Sequence, residues 1–169
     1  VAEIPGYRRD AERLWRDFGR IWQSYLRGQA ILGIVIGLVV YVCMLLLGVE
    51  NPLALGLISG LMEFIPYIGP LIGAGAAILV SIFQETNNFG LTGFQFVILV
   101  TIVMSLIQQL ENNFLVPRIV GDALDLNPLI VFVGALAGAL FAGILGTVLA
   151  APVIATFKLI GQYAWRKMF

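Results

Sequence analysis

The 169-residue sequence has no histidine, so it lacks the side chain most often used as a general base or metal ligand near neutral pH. Its single cysteine, Cys43, sits in an unbroken apolar run, which excludes an internal disulfide and a cysteine cluster and leaves a packing role. Charge is equally scarce: Asp, Glu, Lys and Arg make up 12% of the chain, about half the share typical of soluble domains. A chain this long has too much surface for so few charges to keep it in water. With 60% apolar residues and a mean hydropathy of +0.96, bilayer lipid must be much of its solvent. An all-α integral membrane protein is expected.

Between residues 28 and 157 the only basic residue is Arg118. Six of the ten precede residue 28 (Arg8, Arg9, Arg13, Arg16, Arg20, Arg27), and Lys158, Arg166 and Lys167 close the chain. Positive charge at membrane-flanking ends is not a nucleic-acid surface. There is no signal-peptide pattern, and a start at Val1 rather than methionine marks the chain as an expected fragment or processed product.

Residues 11–27 place Leu14, Phe18, Ile21, Trp22 and Tyr25 at helical spacing with arginines on the other faces. Residues 1–27 therefore read as a basic amphipathic helix, lying at the interface or packed on a neighbouring domain. Residues 28–157 read as the transmembrane part. Its first span, 28–49, holds 22 residues without a charge before Glu50, and Gly33 and Gly37 permit close helix contact. The block 53–83 would extend roughly 46 Å as one helix, too long for the hydrocarbon core. It is interrupted by Glu63, Pro66, Gly69 and Pro70, which predicts either two half-helices folded back as a re-entrant hairpin or one long broken helix. A polar loop, 84–92, leads to a second span, 93–116, ended by Pro117. The block 127–157 repeats the theme, with an interruption from Gly138 to Gly146 that includes Gly143, and a late Pro152. Residues 158–169 form an aromatic and basic cytoplasmic anchor tail.

Asn51-Pro52-Leu53 and Asn127-Pro128-Leu129 open the two broken blocks, 76 residues apart, which admits an inverted repeat or a chance likeness of glycine-rich stretches. Basic residues at both ends place both termini in the cytoplasm and require an even number of crossings. Two spans plus two re-entrant hairpins put 84–92 outside and 117–126, with Arg118, inside; four full crossings would reverse both. Broken helices in inverted repeats are a recurring transporter plan.

Two carboxyls fall inside the membrane part, where an ionisable group costs roughly 2.5–3.5 kcal/mol and is a functional candidate. Glu63 lies where the helix breaks, beside backbone amides freed by Pro66 and Gly69; its plainer roles are capping and pairing with Arg118. Glu111 lies among Gln108, Gln109, Asn112 and Asn113, a set that both donates and accepts and suits a small polar solute. Hydrogen bonding between helices or subunits is the alternative. No catalytic constellation, metal-ligand spacing or phosphate loop is present, so neither an enzyme nor a cofactor or metal is expected.

The strings LLLGVENPLALGLISGLMEFIPYIGPLIGAGAA, QQLENNFLVPRIVGDALDLNPLIV and GILGTVLAAPV, with the lead-in IPGYRRDAERLWRDFGRIWQSYLRGQ, resemble the autoinducer-2 exporter family over essentially the whole chain. The resemblance implies a homo-oligomer of the bacterial inner membrane that exports the quorum-sensing signal autoinducer-2 or a related small solute. Some relatives exchange sodium or lithium for protons. It marks Glu63, Pro66, Gly69 and Pro70, in E-x-I-P-Y-x-G-P, as one signature. Gln109, Glu111, Asn112, Asn113, Pro117 and Arg118, in Q-x-E-N-N-x-x-x-P-R, form the other. Where relatives often carry His-Pro, this chain has Asn127-Pro128, and relatives carry further membrane segments ahead of this part. Export, with the Gln108–Asn113 face and the hairpin tips as site, is the leading expectation. A sodium/proton antiporter using Glu63 and Glu111 is second, and an oligomeric channel or scaffold third.

Overall fold

The computed structural model describes residues 5–119 and 126–168. Every element among them is helical: α1 (Pro5–Leu47), α2 (Pro52–Met62), α3 (Ile68–Phe83), α4 (Gly93–Leu110), a π-helical segment (Glu111–Leu115), α5 (Val116–Ile119) and α6 (Pro128–Met168). Three stretches, Glu12–Leu47, Gly93–Ile119 and Leu129–Trp165, are long and apolar enough to cross a membrane. Large apolar side chains also stand exposed around them, Ile34, Leu38, Leu57, Leu71 and Phe94 among others. The all-α membrane fold holds, and the protein is multi-pass. Most of the 117–126 loop, with Asp122 and Asp125, lies outside the described residues.

The chain falls into two compact units, one of Gly28–Gly121 and one of Val1–Arg27 with Asp122–Phe169. α1 contributes to both, so the amphipathic helix and the first span are one helix without an intervening break.

In the Gly28–Gly121 unit, α1 buries a stripe of Leu32, Ile36, Val40, Met44 and Leu47, the three-to-four spacing of a helix with one packed face. A second face carries Gly33 and Gly37. A methyl group on Gly33 would stand 2.5 Å from the Gly60 carbonyl oxygen, and one on Gly37 2.9 Å from that of Gly56. The Gly33/Gly37 pair noted in the sequence thus meets a matching pair, Gly56 and Gly60, and α1 and α2 run antiparallel in near backbone contact.

α2 starts at Asn51-Pro52. Asn51 takes the left-handed conformation (φ 53°, ψ 49°) that asparagine tolerates, and proline fits the first helical position, where no donor is needed. α2 ends because Pro66 removes a donor and disfavours helical geometry at the residue before it. The last turn tightens, with the Phe64 N–H donating to Leu61 O and the Ile65 N–H to Met62 O. The chain then reverses and α3 packs back along α2. Gly73 fits against Ser59, and Gly69 against the Met62 carbonyl. Gly69, Gly73, Ala77 and Ser81 recur every fourth residue on the buried face of α3. The block 53–83 is therefore a helical hairpin rather than one long broken helix.

Both arms of this hairpin begin and finish at one end of the unit. There the Gln84 side chain accepts from Glu50 N–H and donates to Gly48 O, and Asn88 Nδ2 donates to Leu46 O. The turn between the arms reaches the level of Gly33 on α1, fourteen residues from Leu47 or about 21 Å along the helix.

α4 starts at Thr92, whose N–H donates to the Gln95 side chain. Its buried stripe is Phe96, Val100, Met104 and Ile107, and it packs on α3. Contrary to expectation, Pro117 does not end this span: helix continues through it to Ile119. The physical reason lies one turn earlier. A proline ring collides with the carbonyl four residues before it in an α-helix. Here the preceding turn is widened to π geometry, with the Val116 N–H donating to Glu111 O, which lets the chain pass without a break.

In the other unit, α6 contains two helices that meet at Ala142 (φ −139°) and Gly143 (φ 59°, ψ −139°). Only glycine takes the second conformation readily. Arms 128–141 and 144–168 fold against each other with the Gly138 and Gly146 backbones in contact and Gly134 against Ile154. The second broken block is thus also a hairpin, turning within the expected interruption. Asn127 caps its first helix through its side-chain oxygen, which accepts from Leu129 N–H. Along α1, Trp22 Nε1 donates to Thr156 Oγ1 and the fully buried Tyr25 donates its hydroxyl to Val148 O. The expected amphipathic face is packed on the second arm.

Candidate functional site

Only seven buried side chains are polar or charged among the described residues, and Gln29, Ser59, Glu63 and Glu111 belong to one end of the Gly28–Gly121 unit. Helical register brings them there. Glu63 is the C-cap of α2, one turn beyond Ser59, and its Cβ lies near Gly33 of α1. Gln29 is one turn before Gly33 on α1, so the antiparallel seam sets it beside the hairpin turn. Glu111 follows Met104 and Ile107 on the buried stripe of α4 and opens the π segment.

The side chains of Glu63 and Glu111 lie beside each other, and each residue is only 3% exposed. Two ionised carboxylates offer acceptors only, so such a pair can bond directly only through a shared proton. Within an apolar unit, two carboxyls 48 positions apart in sequence are thus buried side by side. Four further atoms are buried without a protein hydrogen-bond partner: Gln29 Oε1, Ser59 Oγ, Glu63 Oε1 and Gln108 Nε2. Each such orphan costs about 1–3 kcal/mol if nothing else satisfies it.

The turn that presents Glu63 is strained. Tyr67 sits at φ 65°, ψ −41°, and the Ile68 N–H donates to Pro66 O at 2.8 Å across it. That is a γ-turn of the rare positive-φ kind, in which a residue with a side chain costs of order 1–3 kcal/mol. Pro70 falls in the first turn of α3, where its missing donor is harmless.

Of the other expected site residues, Gln108 is half-buried, whereas Gln109, Asn112, Asn113, Pro117 and Arg118 are exposed. The reason is the stripe: positions 104, 107 and 111 face inward, which turns 109, 112 and 113 away. Glu63 stands at the C-cap position of its half-helix through its backbone, and its carboxyl lies beside Glu111 while Arg118 is exposed. Asn127 and Pro128 start a helix, Gly143 forms the second turn and Gly146 lies in the seam between the second pair of arms. Gln29, Ser59 and the π turn escape the sequence reading. Gln29 carried a signal, since it precedes Leu32 by three and Gly33 by four on the packed face.

A family model described as AI-2E family transporter matches residues 4–165. The chain belongs to the AI-2E transporter family. Among its relatives, a Bacillus subtilis protein named as a transport protein, YrrI, is 34% identical over 154 residues, covering 91% of this chain and 41% of the relative. A second Bacillus subtilis protein so named, YueF, is 29% identical over 90% of this chain and 39% of its own length. An Escherichia coli protein named as a permease, PerM, is 28% identical over 96% and 44%. The chain spans about two fifths of the length of these AI-2E relatives, and the buried carboxyl pair lies within the part they share with it.

Proposed function

We propose that this chain is the translocating part of a membrane transporter for a small polar solute, and that the Glu63–Glu111 pair couples its movement to a proton. The observation that carries the reading is a pair of carboxyls buried side by side at the turn of a folded-back hairpin. An ionisable pair in a membrane interior is expensive and has no packing purpose. The unit Gly28–Gly121 would enclose the pathway, with the α2–α3 hairpin entering and leaving the membrane from one side. Its two arms beginning and finishing at one end support that topology. Basic ends support two cytoplasmic termini in a bacterial inner membrane. The family name supports autoinducer-2 as the first solute to try, with export as the direction, and a homo-oligomer as the working form.

The same pair favours a second reading, cation/proton antiport, because a carboxyl that gives up a proton can hold a cation in its place. Reconstitution into liposomes separates the two. Labelled autoinducer-2 flux and a sodium-dependent pH signal are measured on the same vesicles. Solute flux without a sodium effect eliminates antiport, and wild-type behaviour of Glu63→Gln in both assays eliminates the carboxyl pair as the site. Cysteine placed at Asn88 should label only from outside; labelling only from the cytoplasmic side refutes the hairpin topology.

A further inference from the structure

The carboxyl pair accounts for one oxygen of Glu63 but not for the second, nor for the polar atoms grouped at the same end of the unit. We propose that Gln29, Ser59, Glu63 and Gln108 bind an internal water that exchanges protons with the carboxyl pair. The proposal rests on the shared-proton reading of Glu63 and Glu111 and names the groups that would serve it.

The unpaired atoms have the complementary chemistry of water. Gln29 Oε1 and Glu63 Oε1 accept, Gln108 Nε2 donates and the Ser59 hydroxyl does either. A buried water makes two to four hydrogen bonds to otherwise unsatisfied groups and needs a polar site to do so. Gln29, Ser59 and Glu63 are each more than nine-tenths buried, so bulk solvent does not serve them. An amide or hydroxyl holds a water in place without itself titrating, which suits a positioning role. α2 supplies Ser59 and Glu63, the segment of α1 packed on it supplies Gln29, and α4 with the π segment supplies Gln108 and Glu111. The titratable groups close to Glu63 are therefore Glu111 and, four residues along the same turn, the half-exposed Tyr67. Arg118 is exposed. In the exchange step the Glu63 carboxyl turns its protonated oxygen from Glu111 to the water, its O–H bond breaks and an O–H bond forms on the water. The pair is left doubly ionised beside a hydronium, and the reverse step restores it.

Infrared difference spectra of the full chain in lipid, recorded in ordinary and in oxygen-18 water, test this directly. An isotope-sensitive band of a bound, non-bulk water is expected in the wild type. It should shift or vanish in Gln29→Leu and in Ser59→Ala, each checked for unchanged helix content by circular dichroism. Ser59→Ala removes one atom beside Gly73 and keeps the test available if Gln29→Leu does not fold. Hydrogen–deuterium exchange at the protonated carboxyl, followed by its carbonyl stretch, should slow about tenfold in either variant, the rate factor of roughly one hydrogen bond. No oxygen-18-sensitive band in the wild type, or the same band in both variants, overturns the water site. A missing protonated-carboxyl band, with the water band present and sensitive to both variants, instead overturns the shared proton and leaves the water site standing.

Discussion

The two hairpins start alike and end differently. Each opens on Asn-Pro-Leu with proline as the first helical residue, and each closes its arms over small residues whose backbones touch. In the α2–α3 hairpin the turn takes five residues, 63–67, buries a carboxyl and holds Tyr67 in a strained conformation. In α6 the turn needs only Ala142 and Gly143, and the residues just before it are apolar and open: Leu140 is 88% exposed and Phe141 91%. The difference separates two jobs. Small-residue seams make a hairpin, since close backbone contact is what holds helices together where lipid is as apolar as the side chains. The turn decides what the hairpin does.

The largest effect should come from the turn that carries chemistry. Glu63→Gln is expected to lower proton-coupled flux at least about tenfold, while Leu140→Ala stays within about twofold of wild type. Equal losses in liposome flux would show that the two turns share one function. Next come the seams. Gly69→Ala and Gly138→Ala each force a methyl group into the backbone of the facing arm and should each cost about 1–3 kcal/mol in unfolding measured in detergent. Gly75, with nothing within 4 Å of an added methyl, serves as the control: Gly75→Ala should be neutral or stabilising by up to about 1 kcal/mol. A harmless Gly138→Ala would break the likeness of the two seams.

Within the turns, the signs should oppose. Gly143→Ala is expected to destabilise by about 1–3 kcal/mol because its φ of 59° suits glycine. Tyr67→Gly should stabilise by about 1 kcal/mol, since it removes a side chain from a similarly unfavourable conformation, while loosening the placement of Glu63 and reducing flux. A Tyr67→Gly protein with higher thermal stability and undiminished flux would show that the strain does no positioning. Smallest of all, Arg118→Ala should change stability by less than about 0.5 kcal/mol, as befits an exposed side chain.

Much of the fold was legible in the sequence because it depends on local chemistry. Pro66 disfavours helix at the residue before it, a charge-free run of 22 residues needs lipid, and the Gly33/Gly37 spacing marks a face for close contact. The partner of Glu63 was not legible: Glu111 is brought to it by three packed helices, and Arg118 was the more natural electrostatic guess. The inward set on α4 was half legible. A spacing of 96, 100, 104, 107 and 111 points Glu111 inward and the neighbouring amides outward, but the density of polar residues at 108–113 drew attention to the wrong face. The π turn left no periodic trace, since five residues are too few to reveal a change of pitch.

That π turn gives the second spanning helix one residue of slack. A widened turn can close to ordinary α-helical pitch by handing its surplus residue down the chain, and each residue so passed rotates the downstream helix by about 100°. No peptide bond breaks; the Val116 N–H only exchanges its acceptor, from Glu111 O to Asn112 O. Glu111 sits at the fixed edge of the turn, with its carboxyl against the hairpin, while Asn112, Asn113 and Arg118 ride the part that can swivel. The helix thus has the makings of a rotary joint, set at the point where its polar side chains begin.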